Sequence, residues 1–229
     1  MKLRIGIIGC GGIATGKHLS ALKSNGDLCE VVAFCDGILD RAKKAAQEYG
    51  VENAQVCQNY NELLANPNVD VVYVLTPNIS HSPIAVDAFH AGKHVMCEKP
   101  MAINTAEAEK MMTAWKESGK KFSIGYQNRY RADVRHLRSA CQNGDLGEIY
   151  YAKAYAIRRR GVPTWGSFIQ GSQQGGGPLI DIGTHSLDLA LWLMDNYDVE
   201  SVTGTVFKKL GKLPQAQMEL MGSMGYIKI

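Results

Sequence analysis

Leu-Arg-Ile-Gly-Ile-Ile-Gly-Cys-Gly-Gly-Ile-Ala, residues 3–14, passes from a β-branched run into a cluster of glycines. The run Ile5 to Ile8 predicts a buried parallel strand, and Gly9 predicts the tight turn that ends it. Gly11 has no Cβ and would let a pyrophosphate approach the backbone, while Ala14 takes the third small position, where a helix packs on the strand. The pattern is typical of a dinucleotide-binding turn, although glycine-rich turns also join strands to helices for packing reasons alone.

Asp36 provides the second test of a dinucleotide site. It follows Glu30 to Cys35, the second predicted strand, where a carboxylate can accept hydrogen bonds from both hydroxyls of an adenosine ribose. The alternative is an N-cap for the predicted helix Leu39 to Tyr49, which Asp36 or Asp40 could supply equally well. Together with the glycines of the first turn, ribose binding is the favoured interpretation. Because a carboxylate would repel the 2′-phosphate of NADP, NAD is the expected cofactor.

Strands and helices alternate along the first half of the chain, which predicts an α/β protein. After the second strand, the pattern predicts strands near Gln55 and over 69–75, 93–97 and 121–125, with helices over 60–65, 82–91 and 104–118 between them. This order predicts a right-handed, doubly wound parallel sheet of the Rossmann type. We therefore expect a cofactor-binding domain over residues 1–123 and a second, substrate and catalytic domain over residues 124–229.

The composition narrows the function classes. The chain has 229 residues, of which 45% are hydrophobic, and 25 basic against 22 acidic residues give a formal net charge of +3. The longest single-sign run is 158–160, so nucleic acid is not an expected partner. Six cysteines show no C-x-x-C spacing and are interpreted as buried thiols of a reducing compartment. No signal peptide or membrane-spanning run is recognisable, so we expect a cytoplasmic protein without a membrane partner.

Two short motifs follow later strands of the predicted sheet. Thr76-Pro77-Asn78 follows the fourth strand, with His81 shortly after it, and Glu98-Lys99-Pro100 follows the fifth. Because ligands of open parallel sheets lie beyond the carboxyl ends of the strands, both motifs should face one ligand. Simple turn chemistry would also explain the first motif, and a surface lysine paired with Glu98 would explain the second. His90 and His94 have metal-like spacing, but a glycine separates them, and no metal site is expected.

A fourth motif completes a recognisable set. The stretch Gly-Pro-Leu-Ile-Asp-Ile-Gly-Thr-His, residues 177–185, follows Gly9-Cys10-Gly11 and the motifs at 76–81 and 98–100 in order and at plausible spacing. Over about residues 1–207, the chain resembles the Gfo/Idh/MocA family (glucose–fructose oxidoreductase and inositol dehydrogenase). The resemblance implies hydride transfer between a nicotinamide cofactor and a hydroxyl carbon of a sugar or cyclitol, and a homo-oligomer for full-length relatives. Two other functions stay open: an NAD-binding sensor or inactive relative, and an imine or carbonyl reductase.

The resemblance also assigns catalytic residues. Asp181 and His185 lie four positions apart on one face of a predicted helix, whose continuation over Leu187 to Met194 is apolar enough to predict burial. A helix acid and a satisfied core histidine are the alternative interpretation. In the resembling family, the matching lysine, aspartate and histidine surround the substrate carbon. His185 is then the expected base, Lys99 the donor to the substrate oxygen, and Asp181 the residue that orients His185.

The residues expected to bind the cofactor lie mainly at the ends of the predicted strands. Gln127 and Arg129 follow the sixth strand and are family-like contacts, and Trp165 in a glycine-rich loop is implied to lean on the nicotinamide. A loop aromatic that merely covers the core is an equally good interpretation of Trp165. The full set is Gly9, Gly11, Gly12, Ile13, Asp36, Thr76, Pro77, Asn78, His81, Glu98, Lys99, Gln127, Arg129 and Trp165.

The C-terminal part predicts an incomplete α+β domain. Proteins of the resembling family usually continue well beyond this length into a large, mostly antiparallel sheet. Here only residues 148–157 and 199–207 have the alternation of strands, and residues 208–229 have none. We expect a shortened chain with a tail of low order that binds the cofactor with weak or no turnover, because two strands make a poor sheet.

Overall fold

The computed structural model describes residues 1–157, 163, 166, 168 and 170–207. The chain divides into an N-terminal unit, residues 1–125, and a C-terminal unit, residues 126–229. The predictions for Trp165 and for the tail at 208–229 concern residues outside the described ranges. Among the described residues, none of the helices has both the length and the apolar character needed to cross a membrane.

The N-terminal unit is a six-stranded parallel sheet with helices between successive strands. The strand order is β3-β2-β1-β4-β5-β6, so the chain reverses direction across the sheet after β3 and the switch point lies between β1 and β4. The predicted doubly wound Rossmann sheet is confirmed. Its strands are β1 Leu3–Ile8, β2 Cys29–Cys35, β3 Gln55–Cys57, β4 Val71–Val74, β5 His94–Cys97 and β6 Phe122–Ile124; its helices are α1 Leu19–Ser24, α2 Leu39–Tyr49, α3 Tyr60–Leu64, α4 His81–His90 and α5 Thr105–Ser118.

Two hydrophobic clusters hold the sheet, one on each face. Ile7 of β1 packs with Leu19 and Phe34 in one cluster. Val72 of β4 packs in the other, with Phe89 and other side chains from the helices on that face. Because helices cover both faces, the central strands carry apolar residues on both sides and therefore appear in the sequence as short continuous apolar runs.

The helix after β1 begins with a wide turn. Ala14–His18 is π-helical and continues directly into α1, and the N–H of Leu19 donates to the carbonyl of Ala14, five residues earlier. Ala14 is 0% exposed, which confirms it as the small residue where this helix packs on the strand. The π-turn was not predicted, because no composition signal distinguishes it from an ordinary helical turn.

The C-terminal unit is helical in its described part. Its helices are α6 Ala132–Asn143, α7 Gly171–Gln174 and α8 Thr184–Met194, and a π-helical turn, Leu179–Gly183, leads into α8. Residues 148–157 and 199–207 form no strand, so both predictions of strands there were wrong. Tyr150 is 88% exposed and Val202 is 85% exposed. Alternating sequence alone does not make a strand, because a strand also needs a neighbour to pair with.

The predicted burial of the apolar helix was also wrong. Leu187 is 51% exposed, and no residue of α8 is fully buried. The helix packs on α6, and the hydroxyl of Ser186 donates to the carbonyl of Tyr155 at 3.1 Å. These contacts cover part of its surface only. An apolar sequence indicates that a helix tends to be buried. Burial also requires other parts of the structure to pack against the helix.

Candidate active site

The turn after β1 has the shape of an anion cradle. Gly9 has φ +95°, and a Cβ there would stand 2.6 Å from the carbonyl oxygen of Leu75, so only glycine fits without moving backbone. Gly11 and Gly12 differ from Gly9, because an added Cβ at either would meet no atom of the described residues within 4 Å. The space above Gly11 and Gly12 is therefore open in the described part of the chain, and the helix that follows starts with N–H groups that its own turns leave unpaired. Ile13, 43% exposed, borders the same opening.

Asp36 closes this cradle on the side of β2. One carboxylate oxygen accepts a hydrogen bond from the N–H of Cys10 at 2.8 Å, and the other accepts from the N–H of Ile38 at 2.8 Å. The N-cap of α2 is Ile38, and no side chain caps it, so the N-cap interpretation of Asp36 was wrong. Each oxygen has a further lone pair for a ligand hydroxyl. The carboxylate is thus held rigidly between the two loops that would enclose an adenosine ribose.

Thr76, Pro77 and Asn78 follow β4 on the other side of the switch point. The hydroxyl oxygen of Thr76 is buried, and no hydrogen-bond partner for it occurs in the part of the chain that the structure describes. A buried hydroxyl without a partner costs about 1–3 kcal/mol, which a polar ligand atom would recover. Asn78 is buried at the start of the short 3₁₀ turn Asn78–Ser80. The orphaned hydroxyl and the open cradle are two features that fit a dinucleotide.

His81 is buried between the loop that follows β4 and the loop that follows β5. Its ring is 1% exposed, and its two nitrogens face the carbonyl oxygens of Pro100 at 2.7 Å and Thr76 at 2.9 Å. Burial lowers the pKa of His81, and the two carbonyls offset this only in part. The neutral ring has one N–H and donates to one carbonyl at a time. His81 therefore holds the loops after β4 and β5 together, and its contact with a cofactor stays a prediction.

Glu98 and Lys99 follow β5. One oxygen of Glu98 accepts the backbone N–H of Lys99 at 3.0 Å, and the other lies 2.8 Å from Nε2 of His18. Burial opposes ionisation of Glu98, but the hydrogen bond and the charge of His18, with the Lys99 contacts, hold its pKa below the usual range. The Lys99–Pro100 peptide bond is cis. His18 was missed by sequence reasoning. The sequence signal that could have pointed to His18 is its place as a polar residue between Ala14 and Leu19, which both face the sheet.

The C-terminal unit contains a second group of candidate residues. Gln127 and Arg129 lie on the 3₁₀ turn Gln127–Tyr130, and Gln127 is exposed. The guanidinium of Arg129 donates to both oxygens of Asp188, at 3.1 and 2.9 Å from Nε, and lies over the ring of Trp192. The hydrogen bonds to Asp188 raise the pKa of Arg129 further. Arg129 is therefore bound to Asp188 of α8. A contact between Arg129 and a cofactor would have to form alongside these hydrogen bonds.

Asp181 and His185 lie on the helical run that Arg129 holds. Asp181 belongs to the π-turn and His185 to α8, and four residues make slightly more than one α-turn and slightly less than one π-turn. Both therefore stay on the same side of the run. The hydroxyls of Tyr126 and Thr184 lie 3.2 Å apart, directly before His185. The run is thus fixed to the 126–130 segment on both sides of His185.

The comparisons with known proteins cover both units. Residues 3–126 match the family described as "Oxidoreductase family, NAD-binding Rossmann fold", and residues 134–225 match "GFO/IDH/MocA C-terminal domain". The chain belongs to the Gfo/Idh/MocA family. The family match in the C-terminal unit extends beyond Phe207, where we expected the resemblance to fade. The match over residues 3–126 also shows that the N-terminal unit of this Gfo/Idh/MocA chain has an NAD-binding Rossmann fold.

Two curated relatives of this Gfo/Idh/MocA chain act on polyhydroxy compounds by name. D-glucoside 3-dehydrogenase of Escherichia coli (strain K12) is 42% identical over 91% of this chain. Inositol 2-dehydrogenase of Salmonella paratyphi B is 30% identical over 88% of it. The chain spans 59% and 57% of the length of these two relatives.

Two solved structures show the cofactors of similar proteins. KijD10, a 3-ketoreductase from Actinomadura kijaniata in complex with NADP, is 29% identical, with a TM-score of 0.74 over 85% of this chain and 58% of that one. The WlbA dehydrogenase from Chromobacterium violaceum in complex with NADH is 27% identical, with a TM-score of 0.73 over 84% of this chain and 55% of that one. Similar proteins thus use either nicotinamide dinucleotide.

Proposed function

We propose that this chain binds NAD and transfers a hydride between its nicotinamide and a hydroxyl carbon of a sugar or cyclitol. The observation that carries the proposal is the cradle at the switch point. There, the open space over Gly11 and Gly12 lies beside a carboxylate, Asp36, held by backbone N–H groups of two loops. The names of the relatives, a glucoside dehydrogenase and an inositol dehydrogenase, support the polyhydroxy substrate.

The preference for NAD over NADP follows from the charge at the end of β2. Asp36 offers lone pairs to ribose hydroxyls, and the residues directly after it, Gly37 and Ile38, carry no cation to balance a 2′-phosphate. A phosphate there would meet the carboxylate without compensation. This proposal concerns this chain alone, since similar proteins occur with both cofactors.

The catalytic roles rest on matched motifs and on the chemistry of the side chains. When bound, the nicotinamide ring supplies the hydride donor or acceptor. Oxidation of an alcohol carbon also requires a base for the hydroxyl proton, and His185 has an imidazole suited to that role near neutral pH. Lys99 would donate a hydrogen bond to the substrate oxygen, where negative charge develops, and Asp181 would orient or tune His185.

Reduction of a carbonyl is the second candidate, because similar proteins are named as reductases. One is the 3-ketoreductase from Actinomadura kijaniata and another is a 1,5-anhydro-D-fructose reductase. The same residues would act in reverse, with His185 returning a proton to the oxygen. An NAD-binding sensor would retain the cradle but would give no turnover in either direction.

The test is a binding measurement followed by a substrate panel. Fluorescence of NADH on titration with the protein reports occupancy of the cradle. Absorbance of NADH then follows oxidation of D-glucosides and inositols by NAD, and reduction of 3-keto sugars by NADH. Saturable binding with polyol turnover supports the proposed dehydrogenase. Turnover with carbonyl compounds alone would favour the reductase. Binding without turnover in either direction would leave only the NAD-binding part of the proposal, as in a sensor or in the shortened chain expected from the sequence.

A further inference from the structure

His18 and Glu98 form a half-buried pair of ionisable side chains, which the proposed mechanism does not use. Nε2 of His18 lies 2.8 Å from a Glu98 oxygen, and the two side chains are only 15% and 13% exposed. The edge of the His18 ring also packs on Tyr73, with ring centroids 5.9 Å apart. Withdrawing two polar side chains from water is costly, and the hydrogen bond between them offsets part of that cost.

The π-turn explains how the helix presents His18 at this place. Ala14 and Leu19 are five residues apart and both are completely buried. In a regular α-helix they would be rotated by about 140° relative to each other. The wider turn from Ala14 to His18 lets both pack on the sheet and places His18 beside Glu98. Single π-turns inside helices frequently occur at functional sites.

Glu98 transmits this placement to the loop after β5. Its other oxygen accepts the backbone N–H of Lys99, so the carboxylate links His18 to the chain that carries the lysine. The end of β6 leaves room for it, because a Cβ at Gly125 would lie only 3.2 Å from the Glu98 oxygen that faces His18. Each oxygen of Glu98 thus has a partner within the protein, and these contacts hold its side chain in place.

The strand order shows which half of a dinucleotide would meet this group. Asp36 at the end of β2 marks the adenosine side, and the glycine cradle at the end of β1 marks the pyrophosphate. The remaining half must extend over β4 and β5, where Glu98 and Lys99 lie. We propose, on the basis of the cofactor site proposed above, that His18 is a positioning residue for the nicotinamide half of the dinucleotide. Through its contact with Glu98, His18 fixes the backbone that presents Lys99.

The test compares NADH with ADP-ribose, which has no nicotinamide. His18→Leu should weaken NADH binding about tenfold, because binding must then order the loop after β5, which the lost hydrogen bond to the charged Glu98 held in place. ADP-ribose should bind within about twofold of the wild type, since distant sites are energetically independent. Gln can place an N–H near the position of Nε2, so His18→Gln should restore most of the NADH affinity. Lys17→Ala, an exposed neighbour in the same helix, is the matched control and should change neither affinity.

A double-mutant comparison identifies the route through Glu98. If His18 acts through that carboxylate, adding His18→Leu to Glu98→Gln should change NADH affinity by less than about twofold. Equal losses for NADH and ADP-ribose in His18→Leu, additive losses in the double variant, or an unchanged NADH affinity would each overturn the inference while leaving the cofactor site standing. A wild-type protein that binds neither ligand would overturn the proposed function, and this inference with it.

Discussion

Gly9 and Gly11 lie two residues apart in one turn, yet the structure separates their roles completely. At Gly9, alanine would occupy a left-handed backbone conformation, φ +95°, which costs about 1–2 kcal/mol. Its Cβ would also stand 2.6 Å from the Leu75 carbonyl oxygen and 3.0 Å from the Thr76 nitrogen. These are backbone atoms, and displacing packed atoms costs about 1–3 kcal/mol more. Gly9→Ala should therefore lose about 2–5 kcal/mol of unfolding free energy, much of the stability of a typical domain.

Gly11→Ala is the matched control, because at an ordinary φ its Cβ would meet no atom of the described residues within 4 Å. Its free energy of unfolding should stay within about 0.5 kcal/mol of the wild type. Its NADH affinity should fall at least about tenfold, since the methyl would occupy space that a pyrophosphate needs. Urea unfolding followed by circular dichroism, together with NADH fluorescence titration, measures both. A Gly9→Ala protein as stable as the wild type, or a Gly11→Ala protein with full NADH affinity, would refute this reasoning.

Three further predictions concern the cofactor, the chemistry and the pH dependence. Asp36→Ala should weaken the binding of NAD and narrow the preference for NAD over NADP, measured in paired titrations. Equal or tighter binding of NADP than of NAD by the wild type would contradict the role of Asp36. In a context that shows turnover, Lys99→Met or His185→Ala should lower kcat by orders of magnitude with nearly unchanged NAD affinity, and near-normal rates would remove the catalytic assignment. Because burial lowers the pKa of His81, the unfolded chain takes up its proton at a higher pH than the folded one. Stability should then decline as pH falls below about 6.5, by at most about 1.4 kcal/mol per pH unit. The decline should be smaller in His81→Gln when urea unfolding is compared at several pH values, and an identical decline would contradict the assignment.

The N-terminal unit could be predicted well because its signals are local. Most of its strands contain a short apolar run that is followed within two residues by a glycine or a polar residue. Asn104 caps α5 locally, accepting the N–H of Glu107 at 2.9 Å. The right-handed crossover rule decides the face of the sheet on which each connecting helix packs, once the strand order is given. The same locality explains why Gly9 was correctly predicted at the turn: a positive φ favours glycine, and glycine is visible in the sequence.

The rest depends on contacts between distant parts of the chain. His18 and Glu98 are eighty positions apart, and their pairing requires a π-turn that has no sequence signature. Arg129 was expected at a ligand, but its bond to Asp188 is a tertiary contact that no local pattern contains. The two alternating segments after α6 failed as strands for a related reason, because pairing and burial depend on a partner surface.

The most direct measurement is a titration of NADH with the whole chain, in which nicotinamide fluorescence reports binding and ADP-ribose serves as the competitor. The cradle formed by Gly11, Gly12 and Asp36 predicts saturable binding that ADP-ribose displaces completely and that Gly11→Ala weakens. The absence of saturable binding at NADH concentrations up to about 1 mM, where only interactions weaker than about −4 kcal/mol escape detection, would contradict the assignment of this site to a dinucleotide.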